Sequence, residues 1–232
     1  MQKITDNLYQ INLGPVNVFV IEDNGLTLID SGHKGSTDKI FGAIRKAGKN
    51  VNDIKQLILT HSHPDHAGSA AEIKRRLKIP VLAHKADAEL MKKGIAGRLP
   101  HNVSTDIANR IIFHLFIKNS ENKIEALEVD TKLEGNEVLP IAGGLQVVHT
   151  PGHSAGHIAL FLKKQDLLIA GDICAHMMWL GFSTVYEDRT LGIKSILKAA
   201  DLGFESAVFG HGRPIKHSAA KKMREKFQNC LP

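Results

Sequence analysis

The chain opens with three short apolar runs, Leu8–Leu13, Val16–Glu22 and Leu26–Ile29, all rich in β-branched residues. Gly14-Pro15 and Asp23-Asn24-Gly25 separate them. Such runs between turn residues predict an antiparallel start to a sheet. From Ser36 to Ala47 the period changes. Ile40, Phe41 and Ile44 fall on one face and Gly48 stops the run, which predicts a helix. Gln56–Leu59 reads as a buried strand, Ala67–Leu77 as a helix and Pro80–Ala83 as a short strand.

After His84 the pattern turns helical twice, over Lys85–Ile95 and Val103–Ile117. The second stretch carries Ile107, Ile111, Ile112, Leu115 and Phe116 as a broad apolar stripe. A helical insertion, about residues 85–118, is expected between two β-rich halves. Strand patterns resume at Ile124–Val129, Val138–Ile141, Leu145–His149, Ile158–Leu162, Leu167–Ala170 and Ala207–Phe209, with helices at Thr190–Ala200 and Ser218–Phe227. No linker separates independent units, so residues 1–232 read as one domain. Two β-rich halves, each followed by helices, predict an α+β fold of layered sheets covered by helices.

Composition narrows the function classes. Of 232 residues, 43% are hydrophobic, enough for a sizeable core. No apolar run reaches the roughly 18 residues of a membrane-spanning helix, and the N-terminus lacks the apolar stretch of a secretory signal. A cytoplasmic location and no membrane partner are therefore expected. Two cysteines, Cys174 and Cys230, make no disulfide framework. Cys174, close after Asp172, reads as a small buried apolar residue rather than a ligand. The net charge of +6 is spread over small clusters at Lys74–Lys78 and Lys221–Lys226, both on helix-like segments. Those read as solvated helix faces, and a nucleic-acid partner is not expected.

The chain has 13 histidines, and their placement carries the chemistry. Gln56–Leu59 runs into Thr60-His61-Ser62-His63-Pro64-Asp65-His66. Leu145–Val148 runs into Thr150-Pro151-Gly152-His153, Leu167–Ala170 into Gly171-Asp172, and Ala207–Phe209 into Gly210-His211-Gly212. If these strands lie side by side and parallel, the four clusters meet along one edge of the sheets. In extended backbone His61 and His63 point the same way and can share one ion. Pro64 turns the chain, so Asp65 and His66 can face a second ion. Imidazole and carboxylate donors suit zinc, and also iron or manganese.

The chain resembles the metallo-β-lactamase superfamily, in the branch of glyoxalase II-like thioesterases and lactonases. The resemblance covers nearly the whole chain and rests on VNVFVIEDNGLTLIDSG (Val16–Gly32), LILTHSHPDHAG (Leu57–Gly68), TPGHSAGH (Thr150–His157), IAGD (Ile169–Asp172) and FGHG (Phe209–Gly212). It implies an αββα sandwich with the metals at one edge. It further implies that His61, His63 and His153 hold one divalent ion, that Asp65, His66 and His211 hold the other, and that Asp172 bridges them. The β-lactamases with a cysteine ligand should have Cys where Asp172 stands. The flavo-diiron relatives have a glutamate in the first motif. Glyoxalase II proper has a further helical domain, whereas only about twenty residues follow His211, less than a domain.

The expected reaction is hydrolysis of a small acyl substrate, a thioester or lactone, by a hydroxide bridging the two ions. Asp65 and Asp172 are the catalytic candidates. Tyr186 is a candidate for the substrate carbonyl, since some lactonase-like relatives place a tyrosine there. Asp30 is expected to accept hydrogen bonds from the metal loop or a ligand imidazole, or to be a plain turn carboxylate. His157 is expected to be a structural hydrogen-bonder, and His33 to line the mouth or merely sit on a loop. Ile111, Phe113, Leu115 and Phe116, with Met177, Met178, Trp179 and Leu180, read equally as pocket wall, core or homodimer interface. A phosphodiesterase using the same ligands is the alternative. A redox diiron enzyme is disfavoured because such relatives use fewer ligands, and a non-catalytic scaffold because every ligand position is filled.

Overall fold

A computed structural model describes residues 1–99 and 101–231. Strands and helices are numbered in chain order. One sheet has seven strands in the order β1 (Gln2–Lys3), β2 (Leu8–Asn12), β3 (Asn17–Glu22), β4 (Leu26–Ile29), β5 (Ile54–Ile58), β6 (Val81–His84), β8 (Thr131–Leu133). Its first four strands form an antiparallel meander, and β4, β5, β6 and β8 run parallel. The second sheet has five strands in the order β16 (Ser206–Val208), β12 (Leu167–Ile169), β11 (Ile158–Leu162), β10 (Leu145–His149), β9 (Val138–Leu139). There β10, β12 and β16 point one way and β11 the other. Two small ribbons pair β7 (Asn102–Val103) with β15 (Val185–Tyr186), and β13 (Ala175–His176) with β14 (Leu180–Gly181).

Strand β3 shows why the layers stack. It is apolar almost without a break because both of its faces are covered. Val18 and Val20 face helices α1 (Thr37–Lys46), α3 (Ala70–Leu77) and α4 (Lys85–Lys92), whereas Phe19 and Ile21 face the second sheet. On the second sheet Val147, Leu160 and Ile169 point inward. Val148, Ala159, Phe161 and Leu168 point outward to α6 (Arg189–Ala200) and α7 (Ala219–Phe227). The result is the expected αββα sandwich.

Several boundaries differ from the sequence reading. Ile124–Val129 forms no strand. It runs extended beside the end of α4, where Ile124 N–H donates to Gly94 O and Leu127 N–H to Met91 O. Leu127 and Val129 are apolar because they fill the core against α4, not because they pair. The helix expected over 67–77 begins earlier and breaks into α2 (Pro64–Ala67) and α3. The segment read as an insertion divides. Helix α4 belongs to the outer layer through Ala88 and Met91. Beyond it, Val103 lies in β7, and α5 (Ile107–Ile112) continues into a wide π-helical turn, Phe113–Ile117. None of the residues of α5 or that turn is buried.

The expectation that four ligand-bearing strands lie side by side holds only for β12 and β16. Strand β11 separates β10 from β12, and β5 lies in the other sheet. Their C-terminal ends meet across the seam between the sheets. Ile158 N–H donates to Thr60 O there at 2.9 Å, and Asn17 N–H to Gly210 O at 2.8 Å. No helix among the described residues is long and apolar enough to cross a membrane.

Candidate metal centre

Strand β5 runs straight into Thr60–His66. Helix α2 starts at Pro64, with His63 in extended conformation before it. Proline suits a first helical position, where its missing N–H is not needed. His61 and His63 therefore leave an extended segment, while Asp65 and His66 sit on a helical turn and face elsewhere. The remaining candidates follow β10, β12 and β16. Gly171 adopts φ +55°, in the left-handed region that favours glycine, just before Asp172. A Cβ on Gly210 would overlap Asp172 Oδ1 and lie 2.7 Å from His66 Cε1, so only glycine fits beside that carboxylate.

The seven residues fall into two groups whose donor atoms converge: His61, His63 and His153, then Asp65, His66, Asp172 and His211. In the first, Nε2 of His153 lies 3.2 Å from Nε2 of His61 and 2.9 Å from Nδ1 of His63. In the second, Nε2 of His211 lies 3.2 Å from Asp65 Oδ2 and 3.0 Å from Asp172 Oδ2. His66 Nε2 lies 3.6 Å from Asp65 Oδ2 and 3.4 Å from Asp172 Oδ1. Asp172 also reaches the first group, with Oδ2 3.7 Å from His153 Nε2. The first group is buried, whereas Asp65 and His211 are about a fifth exposed, 22% and 24%. The second group is the side open to solvent.

Burial and the neighbouring imidazoles hold His61 well below the ordinary histidine range. Burial likewise lowers His153, and it lowers His63 to about 4. The first group is thus a set of neutral imidazoles. In the second group burial again opposes charge but loses. Asp172 with Asp65 holds His66 and His211 protonated above the usual range. In return His66 and His211 hold Asp65 and Asp172 well below the usual carboxylate range. The buried Asp172 and the partly buried Asp65 carboxylates demand a cation, and protons on His66 and His211 supply it in the metal-free protein.

The donor set fits divalent metal ions. Tetrahedral zinc with nitrogen donors at about 2.0–2.1 Å places those donors roughly 3.3 Å apart, close to the spacings in both groups. Nε2 of His66 and Oδ1 of Asp172 are buried and have no hydrogen-bond partner, and their mutual 3.4 Å is longer than a good hydrogen bond. An orphaned pair of this kind is costly unless a ligand meets it.

A second layer of contacts aims the donors. Asp30 Oδ2 sits 2.8 Å from His66 Nδ1, and Oδ1 accepts from Thr60 N–H at 2.8 Å. Of the two readings open for Asp30, these contacts are those of an acceptor for the metal loop and a ligand-type imidazole. His153 Nδ1 faces Val185 O at 2.8 Å, and His211 Nδ1 faces Pro15 O at 2.7 Å, which leaves Nε2 of each ring for the centre. His157 acts as the expected structural hydrogen-bonder, with Nε2 accepting from Asp172 N–H at 2.9 Å.

Three further supports escaped the sequence reading. Asp87, in the first turn of α4, accepts from Ser62 N–H (3.1 Å), Ser154 Oγ (2.7 Å) and Gly156 N–H (2.9 Å). It thereby ties the His61–His63 loop to the His153 loop. Asn17 Nδ2 donates to Phe209 O and Gly212 O on either side of His211. Glu187 accepts from Arg98 N–H and Ala155 N–H. An acid in a first helical turn looks like ordinary helix chemistry, so only the fold reveals Asp87.

The substrate role expected of Tyr186 is not supported by its position. Tyr186 is fully buried, its hydroxyl donates to Ile173 O at 2.7 Å, and it accepts from Ser183 N–H at 3.1 Å. Its ring packs against His153, with centroids 5.7 Å apart. Cys174 is core, its thiol pushed up by burial, and it belongs to neither donor group. His33 is exposed, with its carbonyl held by Ser69 Oγ at 2.6 Å. The ring of His101 lies 5.7 Å from that of His63. Ile111, Leu115, Phe116, Met177, Met178 and Trp179 are exposed rather than core.

Comparison with known proteins agrees with this geometry. The chain is similar to the probable metallo-hydrolase YflN of Bacillus subtilis (strain 168), 28% identical over 86% of this chain and 81% of that one. It is also similar to a hydroxyacylglutathione hydrolase of Rhodopseudomonas palustris (strain BisB5), 25% identical over 78% of this chain and 59% of that one. Its fold matches BJP-1, a subclass B3 metallo-beta-lactamase of Bradyrhizobium japonicum, with TM-score 0.73, 22% identity, and coverage of 99% and 90%. The model of the metallo-beta-lactamase superfamily matches residues 11–211, and the chain belongs to that superfamily as a metal-dependent hydrolase.

Proposed function

We propose that this protein hydrolyses a small acyl compound, a thioester or a lactone, with two divalent ions, zinc foremost. The observation that carries this reading is the position of Asp172, whose carboxylate lies between a three-histidine group and a mixed group of Asp65, His66 and His211. His61, His63 and His153 would hold one ion, Asp65, His66 and His211 the other, and Asp172 both. Two ions so held supply Lewis acidity for a carbonyl and lower the pKa of a water to about 7.

The protein's own residues supply the rest. Asp65 lies at the open side beside His211, where its carboxylate is placed to accept a proton from a water and release it to the leaving group. Asp30 and the carbonyls of Val185 and Pro15 fix the imidazole orientations, so little reorganisation is needed at the moment of reaction. No Gly-rich phosphate loop of the P-loop kind occurs in the sequence. The Rhodopseudomonas relative is named for hydrolysis of an acyl-glutathione, which supports the same reaction class here.

The test compares kcat/KM for a panel of lactones and thioesters with that for a phosphodiester, using one metal-loaded preparation. Acyl substrates should be cleaved faster. A phosphodiester ahead by about tenfold, roughly 1.4 kcal/mol in the barrier, would replace this reading with the phosphodiesterase one.

A further inference from the structure

Two elements beside the metal centre carry large apolar side chains into solvent. On α5 and its π-helical continuation these are Ile107, Ile111, Leu115 and Phe116, each more than half exposed. On the tip of the β13–β14 hairpin they are Met177, Met178 and Trp179, from 49% to 78% exposed. Scattered apolar residues on a surface are ordinary, but a helix with four of them and no buried residue is not. Among the described residues such a helix buries no side chain of its own that would hold it helical.

Both elements are fastened to the metal centre, one beside His153 and the other beside His211. Val185 O, which faces His153 Nδ1, lies on β15, the partner of β7 just before α5. His176 N–H donates to His211 O at 3.1 Å, immediately before the hairpin tip. Asn109 Nδ2 donates to Phe182 O at 3.1 Å and links α5 to the end of the hairpin. The apolar surface is thereby joined to both donor groups, and through the hairpin to the partly exposed His211.

Charge identifies the occupant. Arg110, His114 and Lys118 recur every four residues along α5 and its continuation, a basic line beside the apolar one. The sequence from Ile107 to Lys118 holds no acidic residue, and Asp106 is occupied in capping Asn109. Neither Arg110 nor Lys118 forms an ion pair among the described residues. The hairpin from Cys174 to Gly181 has no carboxylate either. A two-fold contact with a second copy would set these basic lines against each other with nothing to neutralise them. An anionic lipid surface offers both an apolar interior and negative headgroups.

We propose that α5 and the hairpin tip dock on an anionic lipid bilayer and hold the open side of the metal centre against it. Phe116, Leu115 and Trp179 would enter the headgroup boundary, and Arg110 and Lys118 would meet the lipid phosphates. The sequence reading expected no membrane partner because it looked for a spanning helix. Lying on a surface needs only one apolar face. The proposal is independent of the acyl-hydrolase reading, because binding is measured without turnover.

Trp179 is the only tryptophan in the chain and reports directly. The full-length protein is mixed with vesicles of phosphatidylcholine alone, or of phosphatidylcholine with an equal share of phosphatidylglycerol. Partition is measured by co-sedimentation, and Trp179 emission by fluorescence. The expected result is co-sedimentation and a blue shift with the anionic vesicles, weakened by salt and by omitting phosphatidylglycerol. A Leu115→Ser/Phe116→Ser double variant should lose about tenfold or more in partition while keeping its circular dichroism and melting profile, since neither side chain is buried. An Arg110→Glu/Lys118→Glu double variant should lose the preference for phosphatidylglycerol. No binding to anionic vesicles at low salt would overturn the proposal, as would wild-type partition of both variants. A blue shift appearing with protein concentration alone, with a dimer mass in sedimentation, would assign the surface to a second copy instead.

Discussion

The Asp87 carboxylate accepts a hydrogen bond from Ser154 Oγ at 2.7 Å, and so joins the loop that carries His153 to the one that carries His61 and His63. Asp87 thereby ties together the two loops that carry the three histidines of the buried group. Asp87→Ala leaves buried donors on Ser62, Ser154 and Gly156 without a partner. It should lower stability by about 2–4 kcal/mol. It should also weaken metal binding at the three-histidine group by roughly 10–100-fold, with less effect on the other group. Denaturant unfolding together with metal titration checks both effects. Unchanged affinity at both groups would remove Asp87 from the site.

Metal uptake should depend on pH at one group and hardly at the other. His66 and His211 are held protonated above the ordinary range by Asp172 and Asp65, against the effect of burial. An ion can bind them only after those protons leave. Affinity at this group should therefore rise with pH, by roughly tenfold per unit for each proton released. His61, His63 and His153 are held below the ordinary range, chiefly by burial, so they are already neutral. Affinity at the three-histidine group should vary little between about pH 5 and 8. Calorimetric titration in buffers of different ionisation enthalpy counts the protons. Release of none, with pH-independent affinity at both groups, would contradict the electrostatic description.

Most of the fold was legible because its determinants are local. Strand β3 is apolar on successive residues, β10 and β11 match their expected spans, and α1 shows its buried face as Ile40, Phe41 and Ile44. The residues that converge in the two groups were legible because chemistry placed at strand ends leaves short dense motifs. The rest depends on contacts distant in sequence. Asp87 meets residues 25 to 69 positions away. Ile124–Val129 is apolar for α4, which no strand pattern can reveal. The apolar stripe gave a helix from Ile107 onward, with Val103 in a strand before it, but not its exposure, because periodicity records which residues share a face and not what covers it.

Tyr186 shows the same limit in a single residue. Its type and its loop suggested a substrate contact, yet its hydroxyl is committed to Ile173 O and Ser183 N–H. Tyr186→Phe should therefore act on the scaffold, lowering stability by about 1–2 kcal/mol while leaving KM within twofold or so of wild type. Thermal unfolding and steady-state kinetics on the best acyl substrate separate the two effects. A KM raised about tenfold with unchanged stability would return the hydroxyl to the substrate.

The central claim is that seven side chains hold two ions through a shared Asp172. The most direct measurement is elemental analysis of folded, zinc-saturated protein beside its Asp172→Ala variant, with circular dichroism as a check on folding. The account predicts close to two ions per chain in the wild type, and marked loss of metal with loss of hydrolysis in a variant that stays folded. One ion or none in the folded wild type, or a variant that keeps both ions and near-normal turnover, would contradict it.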